Sequence, residues 1–477
     1  IGGIASVTSL TVSGVSTFTN GPVFIGTTTS TGTASQNLQV VGGSYISGYV
    51  GIGTTNPKVN LQVGGTIGFN DTNIKIGDSI TGGSISSGIN NIFLGTQAGF
   101  ANTSGSYNNF FGYQSGYRNT SGIDNNFFGR CTGRCNTTGS YNNFFGKYAG
   151  LLNTTGQYNN FFGRGSGCLN GSGSNNNFFG NFSGRSNTTG CNNNFFGANA
   201  GIANTSGKYN NFFGQCTGFS NTTGCSNNFI GNLAGACNTF GYCNNFIGSA
   251  AGRGNTTGSF NNFIGTNAGC TNNIGGSNIY IGNGSGLFTT IGNNNIFFGS
   301  FSGRSTSGSY NQFFGQNSGF CNTTGSSNIF IGAYSGYFNI SGIYNNFLGT
   351  QSGYSNSTGC FNNFFGHFTG ISTSASNKVI IGRGGNSSNL FDSPNTTKDT
   401  QLAIGVRTDS NTAKYWIVGD ENFNVGIGTT NPTSKLHVGG NVLITGVITA
   451  TSFIGDLNGN ATSSTNVIGG IASVTSL

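Results

Sequence analysis

The sequence predicts an all-β protein whose central part is a parallel β-solenoid with 17-residue rungs. Two observations support this fold class. The motif typified by "YNNFFG" at residues 141–146 returns at a constant short period, and Gly accounts for 87 of the 477 residues while charged residues make up only 5%. A constant short period without a helical pattern is typical of stacked repeats, and so many Gly and Asn residues would break helices.

The repeat is marked by the glycine that closes each copy of the motif, here called the anchor glycine. Its spacing is 17 residues at every interval except two, which are 16: anchor glycines are residues 95, 112, 129, 146, 163, 180, 197, 214, 231, 248, 265, 282, 299, 315, 332, 349, 366 and 382. Each rung reads approximately N-N-F-F-G-x-x-(A/S/T)-G-x-x-N-(T/S)-(T/S)-G-x-x. The glycines favour tight or left-handed turns, and "NTTG" favours a further corner.

The doubled Phe predicts an association surface. Neighbouring side chains of a strand point to opposite faces, so we predict that Phe144 fills the core and Phe145 forms an apolar ladder on the other face. Such a ladder has to be covered, most simply by other copies of the chain in a homo-oligomer. We predict that Asn142 joins its equivalents in an amide ladder and that Gly146 turns the chain. The same roles fall three rungs later on Asn193, Phe195, Phe196 and Gly197.

Three regions are predicted along the chain. Residues 1–76 form an N-terminal β shaft module, 77–385 the solenoid, and 386–477 a C-terminal β shaft or connector module. Both flanks contain one motif, "VGIGTTNPKVNLQVGG" at 50–65 and "VGIGTTNPTSKLHVGG" at 425–440, which indicates a module used twice. The chain has no Met, and "IGGIASVTSL" at 1–10 reappears at 468–477. These features predict an excerpt of a tandem array with a 467-residue unit, the last residues starting the next unit.

The flanks and the repeat also resemble known fibrous proteins. "GIGTTNPTSKLHV" followed by "GNVLITGVITATSF" resembles the shafts of phage tail fibres, particularly those of marine phages. "NNFIGTNAG" with "NTTGS" resembles the head repeats of trimeric autotransporter adhesins. The resemblance implies a left-handed parallel β-roll in a homotrimer, located outside a cell or on a virion.

Catalysis is not predicted. Asp124 is the single acidic side chain between residues 91 and 377, so the solenoid lacks the paired carboxylates of a glycosidase. His367 and His437 lie in different modules at variable positions, and the 11 Cys include no CxxC pair, so neither a metal nor another cofactor is expected. Trp416 is expected to pack at the junction between solenoid and shaft rather than to form an exposed sugar-stacking cluster.

Cys225 and Cys243 stand 18 residues apart, one rung and one residue. That spacing permits a disulfide. The alternative is that both are small residues tolerated at variable positions of a rigid rod.

The basic side chains suggest a partner. Arg130, Lys147 and Arg164 each directly follow an anchor glycine in three consecutive rungs, with Arg118 and Arg134 on neighbouring corners. Stacking at ~4.8 Å would make them a column of positive charge. One interpretation is a solvated face that keeps the rod soluble. The other is a binding stripe for an anionic polymer such as a cell-surface polysaccharide.

The predicted function is that of a structural subunit of an extracellular fibre, a cell-surface filament or adhesin stalk giving reach and attachment. Its expected partner is itself, as a homotrimer joined in tandem or end to end, without membrane insertion. The first alternative is a phage tail fibre that recognises a host receptor. The second is a polysaccharide-cleaving tailspike.

Overall fold

The computed structural model describes residues 73–78, 81–82, 85–370, 374–385, 391–407, 413–446 and 449, together with four short strands nearer the N-terminus. The described residues are all-β, without a helix, and form two compact units, Ile1–Asp71 and Thr72–Leu477. The predictions of an all-β chain and of a parallel solenoid with 17-residue rungs are confirmed. The repeated ends, 1–10 and 468–477, lie outside the described residues.

The first unit contains two pairs of parallel strands, β1 (Val23–Ile25) with β2 (Leu38–Val40) and β3 (Val50–Ile52) with β4 (Leu61–Val63). The pair β3–β4 comes from the motif that both flanks share. Its second copy forms the same parallel pair in the second unit, β26 (Val425–Ile427) with β27 (Leu436–Val438). The repeated motif therefore folds the same way in both places.

The second unit is one ladder in which each strand bonds to the next along the chain. The strands are β5 (Asn73–Ile76), β6 (Asn91–Leu94), β7 (Asn109–Phe111), β8 (Asn126–Phe128), β9 (Asn143–Phe145), β10 (Asn160–Phe162), β11 (Asn177–Phe179), β12 (Asn194–Phe196), β13 (Asn211–Phe213), β14 (Asn228–Ile230), β15 (Asn245–Ile247), β16 (Asn262–Ile264), β17 (Ile279–Ile281), β18 (Ile296–Phe298), β19 (Gln312–Phe314), β20 (Ile329–Ile331), β21 (Asn346–Leu348), β22 (Asn363–Phe365), β23 (Val379–Arg383), β24 (Leu402–Val406), β25 (Lys414–Gly419), β26 and β27.

The ladder is parallel and in register from β5 to β24, so equivalent residues of successive rungs lie side by side. It turns antiparallel at β24–β25 and β25–β26 before the final parallel pair. The first strand thus precedes the predicted solenoid start at 77, and the ladder continues beyond the predicted end at 385.

The core is a single column of stacked rings. In β9, Phe144 is completely buried while its neighbours Asn143 and Phe145 are half-buried, because side chains alternate between the two faces. The Phe144 ring stacks on Phe127 and Phe161 with centroids 4.8 and 4.7 Å apart. The column runs from Phe93 to Phe364, with Tyr280 as its one phenol.

Glycine lets the turns approach this column. Gly150 has a φ of 57°, in the left-handed region. A Cβ on Gly150 would lie 2.3 Å from Cε2 of Phe144. The neighbouring Ala149 is fully buried against the same core. Gly150 is therefore required both by its left-handed backbone conformation and by the lack of space for a Cβ. The residue before it must be small because it is buried against the same core.

Three amide ladders surround the core. In the inner ladder, the Asn142 Nδ2 donates to Asn125 Oδ1 at 3.1 Å and to Gly156 O at 2.9 Å, and Asn142 Oδ1 accepts from the backbone N–H of Asn159 at 3.0 Å. The outer ladder runs through Asn143, whose Nδ2 donates to Asn160 Oδ1 at 2.8 Å. Since these bonds join successive rungs, each ladder ties the rungs together along the stack.

The third ladder, at the turn, starts from the buried Asn of "NTTG". Asn153 Nδ2 donates to Asn136 Oδ1 at 2.7 Å and to Gly156 O at 3.0 Å. The N–H groups of Thr154, Thr155 and Gly156 point together at Gly171 O of the next rung, at 2.8, 3.2 and 3.3 Å. Each regular turn is thus fixed to the next by side-chain and backbone bonds.

Lys378 ends the inner ladder. It takes the place of the Asn, and its side chain is fully buried. The Nζ donates to Ser393 Oγ at 2.8 Å and to the carbonyls of Asn395 and Thr396 at 3.0 and 3.1 Å. Burial lowers the pKa of Lys378, while the carboxylates of Asp392 and Asp399 act in the opposite sense. Lys378 thereby fixes the segment after the last rungs to the end of the solenoid.

A candidate binding site on the basic corner of the solenoid

The turn that follows each anchor glycine forms one corner of the solenoid. We call its cationic part the basic corner: Arg118, Arg130, Arg134, Lys147, Arg164 and Arg185. Within it, Arg130, Lys147 and Arg164 are exposed. The carbonyl of Arg130 accepts the N–H of Tyr148 at 3.1 Å, and the carbonyl of Lys147 accepts that of Gly165 at 2.9 Å. The three cations therefore occupy successive rungs of one column, as the spacing predicts.

Arg118 and Arg134 flank this column. The Arg118 N–H donates to the Arg134 carbonyl at 2.9 Å, so the two lie on adjacent rungs. Arg118 is exposed and Arg134 half-buried. The Arg134 Nε donates to Gln114 Oε1 at 2.9 Å, and its guanidinium lies 5.5 Å from the Tyr117 ring centre. The structure thus brings all five predicted cations to one corner.

Aromatic rings hold several of these cations in place. The guanidinium of Arg130 lies 5.8 Å from the centre of the Tyr113 ring, and the Lys147 ammonium lies 5.0 Å from that of Tyr148. Arg164 and Arg185 approach the Phe182 ring at 5.4 and 5.5 Å. Cations within about 6 Å of a ring centre are attracted to it. Arg185 and these rings were not predicted, although Arg185 follows its anchor glycine by five residues, as Arg134 does.

The charge of the corner is not neutralised by carboxylates within the solenoid. Asp124, the single acidic residue between 91 and 377, is half-buried on the turn before an inner Asn, and its N–H donates to Ser106 O at 3.0 Å. The ion pair Lys398–Glu421, at 3.5 Å, lies C-terminal to the rungs. A column of closely spaced cations is suited to a polymer that carries many negative charges.

The same corner becomes aromatic toward the C-terminal end of the solenoid. The guanidinium of Arg304 lies between the rings of Phe288 and Phe320, at 4.6 and 4.9 Å from their centres. Phe320 stacks on Tyr337 and Tyr337 on Tyr354, with centroids 4.9 and 5.2 Å apart. This cluster was not predicted from the sequence.

The predicted ladder residues lie at equivalent places in two rungs. Asn142 and Asn193 belong to the inner amide ladder, and Phe144 and Phe195 to the buried column. Phe145 and Phe196 stack with their neighbours on the outer face, each at 4.7 Å from the preceding ring. Gly146 and Gly197 have φ values of 129° and 142°. These glycines turn the chain from the strand into the corner.

Cys225 and Cys243 lie on adjacent rungs, where the Cys243 N–H donates to the Cys225 carbonyl at 3.0 Å. Both are free thiols in the structure. The Cys225 Sγ instead accepts from the Lys208 N–H at 3.4 Å and donates to Thr223 O at 3.2 Å. The Cys225 thiol thus bonds to backbone groups of its own turn and of the preceding rung.

The weaker signals have different outcomes. Trp416 is 61% exposed, so the expectation that it packs at the junction is wrong. Its neighbour Tyr415 makes that contact: its ring lies 5.3 Å from Phe391 and its hydroxyl donates to Asp392 O at 2.9 Å. Adjacent side chains of a strand point to opposite faces, so Tyr415 packs against the core while Trp416 points to the exposed face. His367 and His437 are both half-buried, and burial together with Arg383 lowers the pKa of His367.

The described part of the chain contains no group of three or more His, Cys, Asp or Glu side chains placed to hold a metal ion. It also contains no helix with the length and hydropathy of a membrane span. No known family model matches the chain, and no curated protein matches it.

Proposed function

We propose that the chain is a structural subunit of an extracellular fibre that provides reach and attachment. The observation that carries this proposal is the in-register ladder, in which each regular rung repeats the same contacts and adds only length. Stability in such solenoids comes from neighbouring rungs. The 17 steps between the anchor glycines of the predicted solenoid give a length of roughly 80 Å at ~4.8 Å a step.

The outer column supports assembly into a multi-chain fibre. Phe111 to Phe213 stack along the outer face with centroids 4.5–4.8 Å apart, and Phe213 remains 39% exposed. A ladder with this period fits best against a surface of the same period, and another copy of the chain presents one. Burying such a side chain contributes about 1.5–3 kcal/mol. We therefore propose a homotrimer joined through the outer column, the number three following from the resemblance to trimeric fibres.

Changing Phe179, Phe196 and Phe213 together to Gln is expected to weaken the trimer, so that single chains appear at higher protein concentrations than for the wild type, because it removes the outer ladder over three rungs. Light scattering after size-exclusion chromatography measures the mass, and circular dichroism checks that the β structure is retained. The matched control changes Tyr141, Tyr158 and Tyr209, three exposed rings on another column, to Gln and should remain trimeric. A single-chain wild type, or a Phe variant that dissociates no more readily than the wild type, would refute this interface.

The basic corner supports attachment to an anionic cell-surface polysaccharide. Arg130, Lys147 and Arg164 are exposed, stacked in one column, and held by aromatic rings rather than by carboxylates. Side chains that are already positioned lose less conformational entropy on binding. Sugar rings can also contact the interleaved tyrosines. Copies of the corner on each chain would add avidity.

Changing Arg130, Lys147 and Arg164 to Gln is expected to weaken retention on immobilised polygalacturonate by at least about tenfold, or 1.4 kcal/mol. The wild-type affinity should fall with salt, since exposed charges are screened. A control with Lys208, Lys414 and Lys435 changed to Gln removes the same charge from exposed residues outside the turns that follow the anchor glycines, and it should bind like wild type. Equal losses in both variants, retention on neutral dextran, or tighter binding of oligodeoxythymidylate would contradict the assignment.

A further inference from the structure

One irregularity of the core lies within the stack, between the rungs that start at Asn278 and Asn295. The third amide ladder runs without a break from Asn102 to Asn272. Thr289 and Thr306 then take the position of Asn, and the ladder resumes at Asn322. The rung with Thr306 is also one of the two 16-residue rungs.

Four buried polar atoms have no hydrogen-bond partner at this break: Asn272 Oδ1, Tyr280 Oη, Thr289 Oγ1 and Thr306 Oγ1. In regular rungs, the Oδ1 equivalent to that of Asn272 accepts from the Asn of the next rung. Thr289 has no side-chain amide, so it cannot donate the bond that Asn makes in regular rungs. Burial raises the pKa of the Tyr280 hydroxyl, and the polar side chains of Thr289 and Asn295 act in the opposite sense, although neither forms a hydrogen bond with it. The orphaned atoms therefore belong to consecutive rungs at one site.

The backbone is loosened at the same place. In regular rungs, three N–H groups of the turn bond to one carbonyl of the next rung, as Thr154 to Gly156 do with Gly171. The equivalent N–H groups of Thr290, Ile291 and Gly292, all within the described residues, make no such bond to the shorter rung. The outer amide ladder is also absent there, since Ile279 and Ile296 replace its Asn residues.

We propose that this break is an internal hydration site, where ordered water bridges the hydroxyls of Tyr280, Thr289 and Thr306 and the amide oxygen of Asn272. Buried polar groups in proteins are almost always paired, and a buried water normally has two to four polar partners. The two Thr side chains together have two heavy atoms fewer than the Asn residues they replace, against the one oxygen that Tyr280 adds to the Phe column. A metal cation is disfavoured because no carboxylate is available to offset its desolvation.

The site should also be the place where the solenoid opens most readily. Two of the three amide ladders and the bonds of the turn are missing there, so fewer contacts have to be broken for exchange. Hydrogen–deuterium exchange of the full chain is expected to be at least about tenfold faster at Thr290–Gly292 than at Thr154–Gly156. Equal protection of the two turns would overturn this part of the inference.

Two kinds of variant test the water directly. Tyr280→Phe should leave stability unchanged or lower it if water already satisfies the hydroxyl. If the site is dry, the same change should raise stability because it removes an unpaired buried group. Phe144→Tyr is the matched control: the complete third ladder leaves no space there, and the change should destabilise the solenoid.

Combining Tyr280→Phe with Thr289→Asn and Thr306→Asn restores the regular residues at all three positions. This variant is expected to slow exchange of the turn by roughly tenfold, equivalent to 1.4 kcal/mol. A high-resolution density map of the wild type should show water within hydrogen-bond distance of Tyr280 Oη. A stabilising Tyr280→Phe change, or an empty site in that map, would overturn the hydration site.

Discussion

Replacing Phe195 by Ala is expected to destabilise the chain by about 3–5 kcal/mol, the usual cost of removing a large buried aromatic side chain. The Phe195 ring is fully buried and stacks on Phe178 and Phe212 at 4.8 and 4.7 Å. Its removal leaves a cavity in the middle of the column, and the rigid stack of rungs has little freedom to close it. Urea unfolding followed by circular dichroism measures the loss.

The neighbouring Phe196 provides the control. It belongs to the same strand but to the half-exposed outer column. Phe196→Ala should cost much less than Phe195→Ala in the single chain, and its cost should depend on protein concentration if the outer column joins copies. Equal costs that are independent of concentration would show that the assignment of inner and outer rings is wrong.

Replacing Asn193 by Leu is the second change with a large expected effect. Asn193 Nδ2 donates to Gly207 O at 2.8 Å and to Asn176 Oδ1 at 3.2 Å, and Asn193 Oδ1 accepts the Asn210 N–H at 3.0 Å. Leu fills the space and keeps the backbone N–H bond to Asn176 Oδ1, and Gly207 O keeps the bond from Asn204 Nδ2. The buried Asn210 N–H, however, loses its acceptor. One unpaired buried group costs about 1–3 kcal/mol, so we expect a loss in that range.

The matched change is Asn194→Leu in the half-buried outer ladder, where Nδ2 donates to Asn211 Oδ1 at 2.8 Å. Water can replace that bond, and the expected loss is below about 1 kcal/mol. Thermal or urea unfolding of both variants gives the comparison. If Asn193→Leu is no more destabilising than Asn194→Leu, the inner ladder does not hold the rungs together as described.

Period and alternation predicted the solenoid well because both are local properties of the sequence. The 17-residue spacing places Arg130 beside Lys147, and the period of two in a strand separates Phe144 from Phe145. Both follow without knowledge of the turns. The homotrimer stays a prediction. The apolar outer column indicates that other chains cover it, but it does not determine how many.

The path of the turns could not be predicted in the same way. Asn153 reaches the core only because the chain passes through left-handed conformations at Tyr148 and Gly150, with φ values of 63° and 57°. Tyrosine rarely adopts such a conformation, so nothing in its identity signals it. The third amide ladder and the rings that hold the basic corner depend on this path, and the sequence analysis missed them.

Lys378 shows a second limit. The repeat pattern marks it as a departure from Asn, but its partners Ser393, Asn395 and Thr396 come from a segment that follows no repeat. Likewise, the choice of Tyr415 over Trp416 for the core depends on the register of β25, which the sequence does not set by itself. Contacts made outside the repeat require the tertiary structure.

The uniform rung-to-rung contacts have a consequence for how such a chain can change over evolutionary time. Each regular rung bonds only to the rungs before and after it, with the same residues in the same register. Gain or loss of one whole repeat in the gene would therefore rejoin matching surfaces and change the ladder by ~4.8 Å. Recombination between repeats can thus change the length of the solenoid in small, regular increments while the fold of each rung stays the same.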